Sequence, residues 1–209
     1  MNESVRNEQI QELIRAAGVL DRSGCCPATD GNFSVRSQGV MIVTRAGIEK
    51  RALSEASFVE ISLEATDAGE ATSEWQLHRA LYVARPGIAC ILHVHAPYLT
   101  TFASTRRIPP VSLLSESQLS VGEIALVPYC RPGTQSLSEQ TVASSATAMV
   151  YLLANHGAVA LGNSVRDALH RLERAEFLAR VAWQAAALGG GLPLSATQWS
   201  AENEGGAEC

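Results

Sequence analysis

The sequence predicts a single domain of mixed helices and strands, of the α/β or α+β class. The chain has 209 residues, a length that suits one hydrophobic core. Hydrophobic residues make up 46% of it and charged residues 18%, a composition typical of a folded rather than a disordered chain. Helical and strand-like patterns alternate along the sequence, which is typical of domains that combine a sheet with helices.

The first half of the chain predicts one helix followed by three strands. Apolar residues recur at helical spacing over Arg6–Leu20. A loop rich in Gly, Pro, Asp and Thr follows over Gly24–Gly31. Strand patterns then occur at Phe33–Val35, Val40–Thr44 and Phe58–Leu63.

The middle of the chain predicts a helix, a buried strand and a second, shorter helix. The first helix is expected to begin at Thr72 or Ser73, because either hydroxyl can cap the free N–H groups of a first turn. Pro86–Gly87 is expected to end it. The mainly apolar segment Ala89–Val94, which includes His93, predicts a buried strand, and Pro97–Ala103 a short helix.

The last third predicts a strand, a helix, two further strands and a long helix. The first four of these are expected at Ile124–Val127, Ser136–Met149, Val150–Ala154 and Ala158–Leu161. The long helix is expected from Ser164, which forms a pattern resembling a capping box with Asp167, to about Leu188. We therefore assign residues 1–192 to one domain and residues 193–209 to a polar tail, expected to be flexible or docked on a partner.

Charge and apolar patterning exclude several classes of protein. The formal net charge is -5, whereas a non-specific nucleic-acid binder needs a basic face. No apolar run reaches the roughly 18 residues of a membrane span, and the polar segment Met1–Glu8 does not resemble a signal peptide. The five cysteines contain no CxxC pair, so a disulfide framework is not expected. We expect a cytoplasmic protein that acts on a small molecule and binds neither nucleic acid nor membrane.

Two histidines at the end of the buried strand are candidate metal ligands. His93 and His95 are two residues apart, so in a strand their side chains point to the same face. Their nitrogens can then reach one metal ion. The alternative is a pair of half-exposed histidines on a sheet face.

His156 and Glu74 complete a possible ligand set. His156 lies at a break between two strands, where Gly157 permits a backbone conformation that directs the preceding side chain into a cleft. Glu74 is expected in the first turn of its helix. Three imidazoles and one carboxylate form a plausible set of four ligands, and a carboxylate that substrate displaces can act as a base.

Two loops are candidates for binding an anion such as phosphate. Asp30–Ser34 and Thr44–Gly47 offer backbone N–H groups, an amide, hydroxyls and the guanidinium of Arg45. The N–H groups near Thr72 and Ser73, at the expected helix start, would add to such a site. The alternative for each loop is a plain turn.

Taken together, these motifs resemble the class II aldolase/adducin superfamily, and most of all its L-fuculose-1-phosphate aldolase branch. They keep the order and spacing of the family from about residue 8 to residue 185. The matching segments are Gly31–Ser34, Thr44–Gly47, Thr72–Trp75, Arg85–Pro86, His93–Ala96, Pro128–Tyr129 and Asn155–Gly157.

The resemblance implies a fold, an assembly and a set of site residues. The fold is a central, mostly antiparallel sheet flanked by helices, and the assembly is a homotetramer with active sites between subunits. The implied cofactor is Zn²⁺, and Mn²⁺ or Co²⁺ also suits an imidazole-rich site. The implied metal ligands are His93, His95, His156 and Glu74. The residues implied near the substrate phosphate are Asn32, Thr44, Gly47, Thr72 and Ser73.

The resemblance also implies an activity. The protein would be a zinc-dependent lyase that cleaves or forms a C–C bond in a phosphorylated hydroxycarbonyl compound, such as a ketose 1-phosphate. Zinc chelated by the ketone oxygen and the adjacent hydroxyl would stabilise the enediolate left by cleavage. Glu74 would move the proton as catalytic acid/base, and the anion pocket would orient the non-reacting end of the substrate.

Two departures from the aldolase pattern leave alternatives open. Ala46 stands where the aldolase has a threonine and Arg45 adds a fixed cation, so the anion could be a carboxylate. The tyrosine that the aldolase uses as proton donor is missing from Ser112–Glu116. Glu116 instead resembles the catalytic glutamate of a methylthioribulose-1-phosphate dehydratase branch, although an exposed loop carboxylate would look the same.

Other relatives of the family offer further alternatives. Some are decarboxylases of phosphorylated sugar acids, and adducin-type heads are non-enzymatic scaffolds. Because the histidines and Glu74 are all present, the sequence favours an enzyme. His78, four residues after Glu74, is expected either to be a buried structural histidine or to steady that glutamate.

Overall fold

The computed structural model describes residues 3–204, and their side chains as far as residue 200. A seven-stranded sheet lies between two groups of helices. The strands are β1 (Asn32–Ser37), β2 (Val40–Thr44), β3 (Phe58–Ser62), β4 (Cys90–Val94), β5 (Ile124–Val127), β6 (Val150–Leu153) and β7 (Gly157–Gly162). The α-helices over these residues are α1 (Glu3–Arg22), α2 (Trp75–Ala84), α3 (Pro97–Thr105), α4 (Ser115–Ser120), α5 (Gln135–Ser144), α6 (Val165–Ala186) and α7 (Ala196–Glu204).

The sheet is mostly antiparallel. Its strand order is β3-β2-β1-β4-β7-β6-β5, and of the neighbouring pairs only β5 and β6 run parallel. Helices cover both of its faces. The predicted fold class, a single mixed domain with a central, mostly antiparallel sheet flanked by helices, is therefore confirmed.

The register of the central strands brings separate parts of the chain to one end of the sheet. Asn32 of β1 pairs with His93 of β4, and His93 pairs with Val159 of β7. The tight turn that joins β6 to β7 carries His156. Residues far apart in sequence therefore become neighbours through strand pairing alone.

Side chains on the central strand β4 alternate between the two cores. Leu92 and Val94 pack in the core that α1, α3 and α6 cover. Ile91 packs in the core on the other face, which α2 and α5 cover. His93 lies between Leu92 and Val94 in sequence, so it faces the α2 side of the sheet.

Helix α2 begins later than predicted. Thr72 donates its backbone N–H to Thr44 O at 2.9 Å, so the chain is still tied to the end of β2 and cannot yet turn helical. The helix begins at Trp75, and Glu74 precedes it as an N-cap residue without a side-chain cap. The Thr72 hydroxyl accepts only the Glu74 N–H, at 3.4 Å. The predicted cap at Thr72 or Ser73 is therefore wrong, and Glu74 lies just outside the first turn.

Helix α5 is shorter than predicted. It ends at Ser144 rather than at Met149. The Ser145 hydroxyl accepts the backbone N–H groups of Thr147 at 3.1 Å and of Ala148 at 2.9 Å. These side-chain bonds offer the backbone an alternative to the helix, so the chain turns before it enters β6.

The start of α6 agrees with the prediction. The Ser164 hydroxyl accepts the Asp167 N–H at 3.1 Å, while the Asp167 carboxylate accepts the N–H of Asn163 at 2.9 Å. The predicted tail contains α7, and its residues 205–209 lie outside the described part of the chain. Between residues 3 and 204, no helix is long and apolar enough to cross a membrane.

Candidate functional site

Three histidines converge at the end of the central strands. One nitrogen of each of His93, His95 and His156 can be chosen so that the three atoms lie within 4.8 Å of one another. Their ring centroids are 4.7–5.2 Å apart and the rings meet edge to face. A cluster of this size is compatible with coordination of a single metal ion.

Hydrogen bonds fix the orientation of two of these rings. His93 Nδ1 lies 3.0 Å from the carbonyl oxygen of Ala158, so Nδ1 carries the proton and donates it. His95 Nδ1 lies 2.7 Å from Asp30 Oδ2. In both rings Nε2 is then left as the ligand atom. Partners of this kind orient metal-binding histidines and raise their basicity.

The third ring depends on two special backbone positions. Asn155 has a left-handed conformation, with φ 55°, which turns the chain sharply between β6 and β7. Gly157 itself does not take a left-handed φ. Its role is to leave space: an added Cβ would collide with Val94 O and lie 2.7 Å from the His95 ring.

Glu74 lies against the histidines. Its carboxylate is buried, with Oε2 3.0 Å from His93 Nε2 and Oε1 3.5 Å from His156 Nε2. The amide of Asn32 donates to Oε2 at 3.0 Å. Burial alone would raise the pKa of Glu74, but the charge and hydrogen bonds of its partners lower this pKa well below its ordinary value of 4.5. Glu74 is therefore ionised at neutral pH.

The imidazole rings of His95 and His156 are neutral at neutral pH. Burial, and then the positive charge that His93 can carry, lower the pKa of His156 to about 4. The same two causes lower the pKa of His95 below 6.5. A neutral imidazole keeps a lone pair on one nitrogen, which is the form that binds a metal.

Four buried polar atoms at this point have no hydrogen-bond partner among the described residues. They are Glu74 Oε1, His93 Nε2, His95 Nε2 and His156 Nδ1. Buried polar atoms in folded proteins nearly always have partners, and four in one cluster call for a common explanation. A divalent cation between the rings could take one nitrogen from each imidazole and an oxygen of Glu74, because imidazole nitrogen and carboxylate oxygen are ordinary zinc ligands.

A cleft of about 230 Å³ opens beside the cluster. It brings the four candidate ligands together with five of the residues predicted to bind an anion. Those five are Asn32, Arg45, Gly47, Thr72 and Ser73. Two predicted site residues, Thr44 and Glu116, do not line this cleft among the residues that the structure describes.

Thr44 has a structural role in this fold. It is fully buried, and its hydroxyl accepts the Phe33 N–H at 3.2 Å. Its neighbour Ala46 lines the cleft instead. Ala46 lies beyond the end of β2, in the turn that borders the cleft, so the strand periodicity that buries Thr44 does not extend to it.

Glu116 and Arg45 are engaged away from the cluster. Glu116 lies exposed on α4, where its carbonyl oxygen accepts the Ser120 hydroxyl. Arg45 borders the cleft, but its Nε donates to Ala56 O at 2.9 Å and its guanidinium pairs with Glu70. The positive charge of Arg45 is therefore partly neutralised by a surface carboxylate.

Sequence reasoning missed two residues of the cleft. Asp30 was placed in a candidate loop but not recognised as the partner of His95. Lys50 is only 3% exposed, and its Nζ donates to Thr29 O at 2.9 Å and to Ile48 O at 2.8 Å. Burial lowers the pKa of Lys50 below its ordinary value of 10.5. No local pattern marks a lysine that will be buried, so the sequence held no signal for it.

Comparisons with known proteins agree with this geometry. The family model described as class II aldolase and adducin N-terminal domain matches residues 11–183. A 5-methylthioribulose-1-phosphate/5-deoxyribulose-1-phosphate aldolase from Rhodospirillum rubrum is 29% identical over 174 residues, which cover 82% of this chain and 79% of that protein.

Two further relatives extend the comparison. A 3-oxo-tetronate 4-phosphate decarboxylase from Haemophilus influenzae is 29% identical over 158 residues, which cover 72% of this chain and 75% of that protein. The solved structure of an L-fuculose 1-phosphate aldolase superposes with a TM-score of 0.79 at 25% identity, covering 94% of this chain and 95% of that one.

Proposed function

Because the chain belongs to the family of class II aldolases and adducin N-terminal domains, we propose that it is a zinc-dependent lyase. Its reaction is the cleavage or formation of a C–C bond in a small phosphorylated hydroxycarbonyl compound, a ketose 1-phosphate. The observation that carries this proposal is the convergence of three imidazoles and Glu74 at one end of a cleft. The names of the similar aldolases favour a sugar phosphate as substrate.

The proposed metal ligands are His93, His95, His156 and, before substrate binds, Glu74. A divalent ion held there supplies a Lewis acid that stabilises negative charge on the oxygens of the substrate. The described residues favour Zn²⁺ by ligand type, and Mn²⁺ or Co²⁺ is compatible with the same set.

Glu74 is the proposed acid/base. One of its oxygens is held by the Asn32 amide, while Oε1 has no hydrogen-bond partner among the described residues. An oxygen without a partner inside a cleft is free to accept a proton from a substrate hydroxyl and to return it. The low pKa of this carboxylate provides the ionised form that a base requires.

A second part of the cleft lining is the proposed anion site. Gly47 has φ 72°, and it belongs to a turn that borders the cleft together with Thr72 and Ser73. The ammonium of Lys50 adds a fixed positive charge in the same part. Binding a phosphate here would orient the reacting carbons toward the histidines without taking part in the chemistry.

A decarboxylase of a phosphorylated sugar acid is the second candidate. The similarity to the Haemophilus influenzae decarboxylase favours it. Both reactions break a C–C bond and leave negative charge beside a carbonyl, so the same metal and anion sites would serve either one. The substrate decides between them.

Glu116 and the assembly belong to the proposal as well. We propose a homotetramer with active sites between subunits, as the family resemblance implies. Glu116 lies outside the cleft of its own chain, so any catalytic role would require a neighbouring subunit to bring it there. In the dehydratase alternative, Glu116→Gln abolishes loss of water from a ketose 1-phosphate. In the aldolase it leaves C–C cleavage intact.

The test combines metal content with substrate turnover. Metal-depleted protein is reloaded with zinc and offered a panel of ketose 1-phosphates and 3-oxo sugar-acid phosphates, with products identified by mass spectrometry. We expect about one zinc per chain and cleavage of at least one ketose 1-phosphate. The variant His156→Ala should lose both, while His170→Ala, which changes an exposed histidine on α6, should keep both. Zinc-loaded protein that is inert toward the whole panel would contradict the proposal.

A further inference from the structure

A chain of buried hydrogen bonds leads from Glu74 into the protein interior. The Asn32 amide contacts Glu74 Oε2 at 3.0 Å, and Asn32 Oδ1 lies 2.6 Å from His78 Nε2. On the far side of the ring, His78 Nδ1 lies 2.6 Å from Ser34 Oγ. Ser34 Oγ in turn lies 2.8 Å from the Tyr82 hydroxyl. The side chains of Ser34, His78 and Tyr82 are fully buried, and Asn32 is 6% exposed.

The chemistry of the groups fixes the direction of every bond in this chain. A carboxylate only accepts, so Asn32 must turn its NH₂ group to Glu74 and its carbonyl oxygen to His78. His78 Nε2 must then be an N–H donor. With the proton on Nε2, Nδ1 of the imidazole is the acceptor that faces Ser34 Oγ. Ser34 therefore donates to His78, and Tyr82 donates to Ser34.

We propose that His78 is a positioning residue: by donating from Nε2 it locks the Asn32 amide in the one orientation that presents an N–H to Glu74. The proposal rests on the proposed role of Glu74 as ligand and base. If the amide were reversed, its oxygen would face the carboxylate and its NH₂ group would face the His78 N–H. Both contacts would be repulsive, so the Glu74 carboxylate and the His78 N–H favour the same amide orientation, and loss of the His78 donor leaves the amide held from one side only.

The strand and helix that carry these hydrogen-bonded side chains explain why their geometry is constant. Asn32 and Ser34 are alternate residues of β1, so their side chains share one face of the sheet. His78 and Tyr82 are four residues apart on α2, so they lie one turn above each other on one helix face. These hydrogen bonds therefore join α2, which follows Glu74, to β1, which pairs with the strand that carries His93, at two successive levels.

Two amide substitutions at His78 separate a positioning role from a structural one. A glutamine at this position is long enough to place its side-chain NH₂ near Nε2 of the replaced ring and to donate to Asn32. An asparagine reaches only the Nδ1 position, so it keeps the contact with Ser34 and loses the one with Asn32. The variants are therefore His78→Gln and His78→Asn. Thr141→Val serves as the control, because it removes a buried hydroxyl that donates to Leu137 O on α5.

Three readouts are taken on the zinc-loaded full-length chain. They are kcat and KM for the ketose 1-phosphate that turns over fastest, zinc affinity by chelator competition, and solvent exchange of the Asn32 side-chain amide protons by NMR. For His78→Asn we expect kcat or zinc affinity to fall about 10- to 100-fold, KM to change less, and amide exchange to accelerate. His78→Gln should recover most of each loss, and Thr141→Val should match the parent protein.

Several results would overturn the positioning role of His78. Equal values for the Asn and Gln variants, or loss of stability without any change in kcat, zinc affinity or amide exchange, would overturn the positioning role. If neither variant folds, Ser34→Ala is measured instead, and unchanged kcat with slow amide exchange in that variant overturns the role. If the parent protein has no lyase activity, the proposed function fails, while zinc affinity and amide exchange still decide the role of His78.

Discussion

At the scale of single residues, the site depends on small distances around Gly157. The backbone there approaches both Val94 and the His95 ring, and the side chain of His156 is aimed by the left-handed Asn155 just before it. A residue without a Cβ is therefore required for steric reasons. The position links the backbone of β7 to the geometry of the proposed metal ligands.

The variant Gly157→Ala tests this requirement. The added Cβ forces β7 or the His95 ring to move, so we expect the free energy of unfolding to fall by about 1–3 kcal/mol and zinc affinity to fall with it. Urea unfolding and chelator competition measure the two effects. Gly87→Ala is the control, because a Cβ at Gly87 meets no atom within 4 Å and should change stability by less than about 0.5 kcal/mol. Equal stability of the two variants would refute the steric argument.

The sequence alone could indicate some of these residues and not others. His93 and His95 are predictable as a pair because the period of a strand puts alternate side chains on one face. Thr44 is assigned to the anion site from its motif, yet the same periodicity turns it into the core, where it binds the Phe33 N–H. Asp30 and Lys50 depend on contacts across 65 and 21 residues, which no local pattern records.

At the scale of secondary-structure elements, the strands were more predictable than the helix ends. The bounds of β2 and β5 are those expected from the apolar runs. The ends of α2 and α5 differ because side chains and a neighbouring strand compete for their backbone groups. Thr44 O holds the chain before α2, and the Ser145 hydroxyl turns the chain after α5. Such competition depends on which atoms become neighbours after folding.

The loop before β1 and the turn after β2 are held together by one ammonium group. Lys50 Nζ donates to Thr29 O in the first and to Ile48 O in the second. We expect Lys50→Met to lower the free energy of unfolding by about 2 kcal/mol, because two part-buried hydrogen bonds from a charged donor to carbonyl oxygens are lost. Hydrogen exchange should accelerate in residues 28–31 and 46–49, as peptide mass spectrometry would reveal.

A neighbouring residue supplies the control for the lysine variant. Arg51 is exposed and its Nε donates to Glu49 Oε2 at 2.8 Å. Arg51→Met should leave both stability and exchange as in the parent protein, because exposed ion pairs contribute little. Slow exchange of both loops in Lys50→Met would show that the ammonium does not hold them.

At the scale of the whole molecule, the buried thiols make stability depend on pH. Burial is the main cause that raises the pKa of Cys25 and of Cys26 from 9.0 to about 12. Between these two values the unfolded chain loses protons that the folded chain keeps. The folded state therefore binds more protons, and its stability decreases as pH rises, by about 1.4 kcal/mol per pH unit for each thiol.

Urea unfolding at a series of pH values above 9.0 measures this effect. The double variant Cys25→Ala/Cys26→Ala should lose stability less steeply than the parent protein. Cys130→Ala, which changes a half-buried thiol, should keep the parent slope. A double variant with the parent slope would mean that other groups cause the alkaline loss.

The origin of the two sides of the cleft has a consequence for how such a protein diversifies. Two of the candidate ligands of the ion, His93 and His95, come from the end of a central strand that neighbours pair on both sides, whereas the residues that would grip the distal end of a substrate come from connecting segments. We therefore expect that exchange of the segment 45–48 would change the substrate preference, while the candidate metal ligands would keep their positions. A protein engineer could replace that short segment with the matching one from a relative that has a different substrate preference, and leave the proposed metal ligands unchanged.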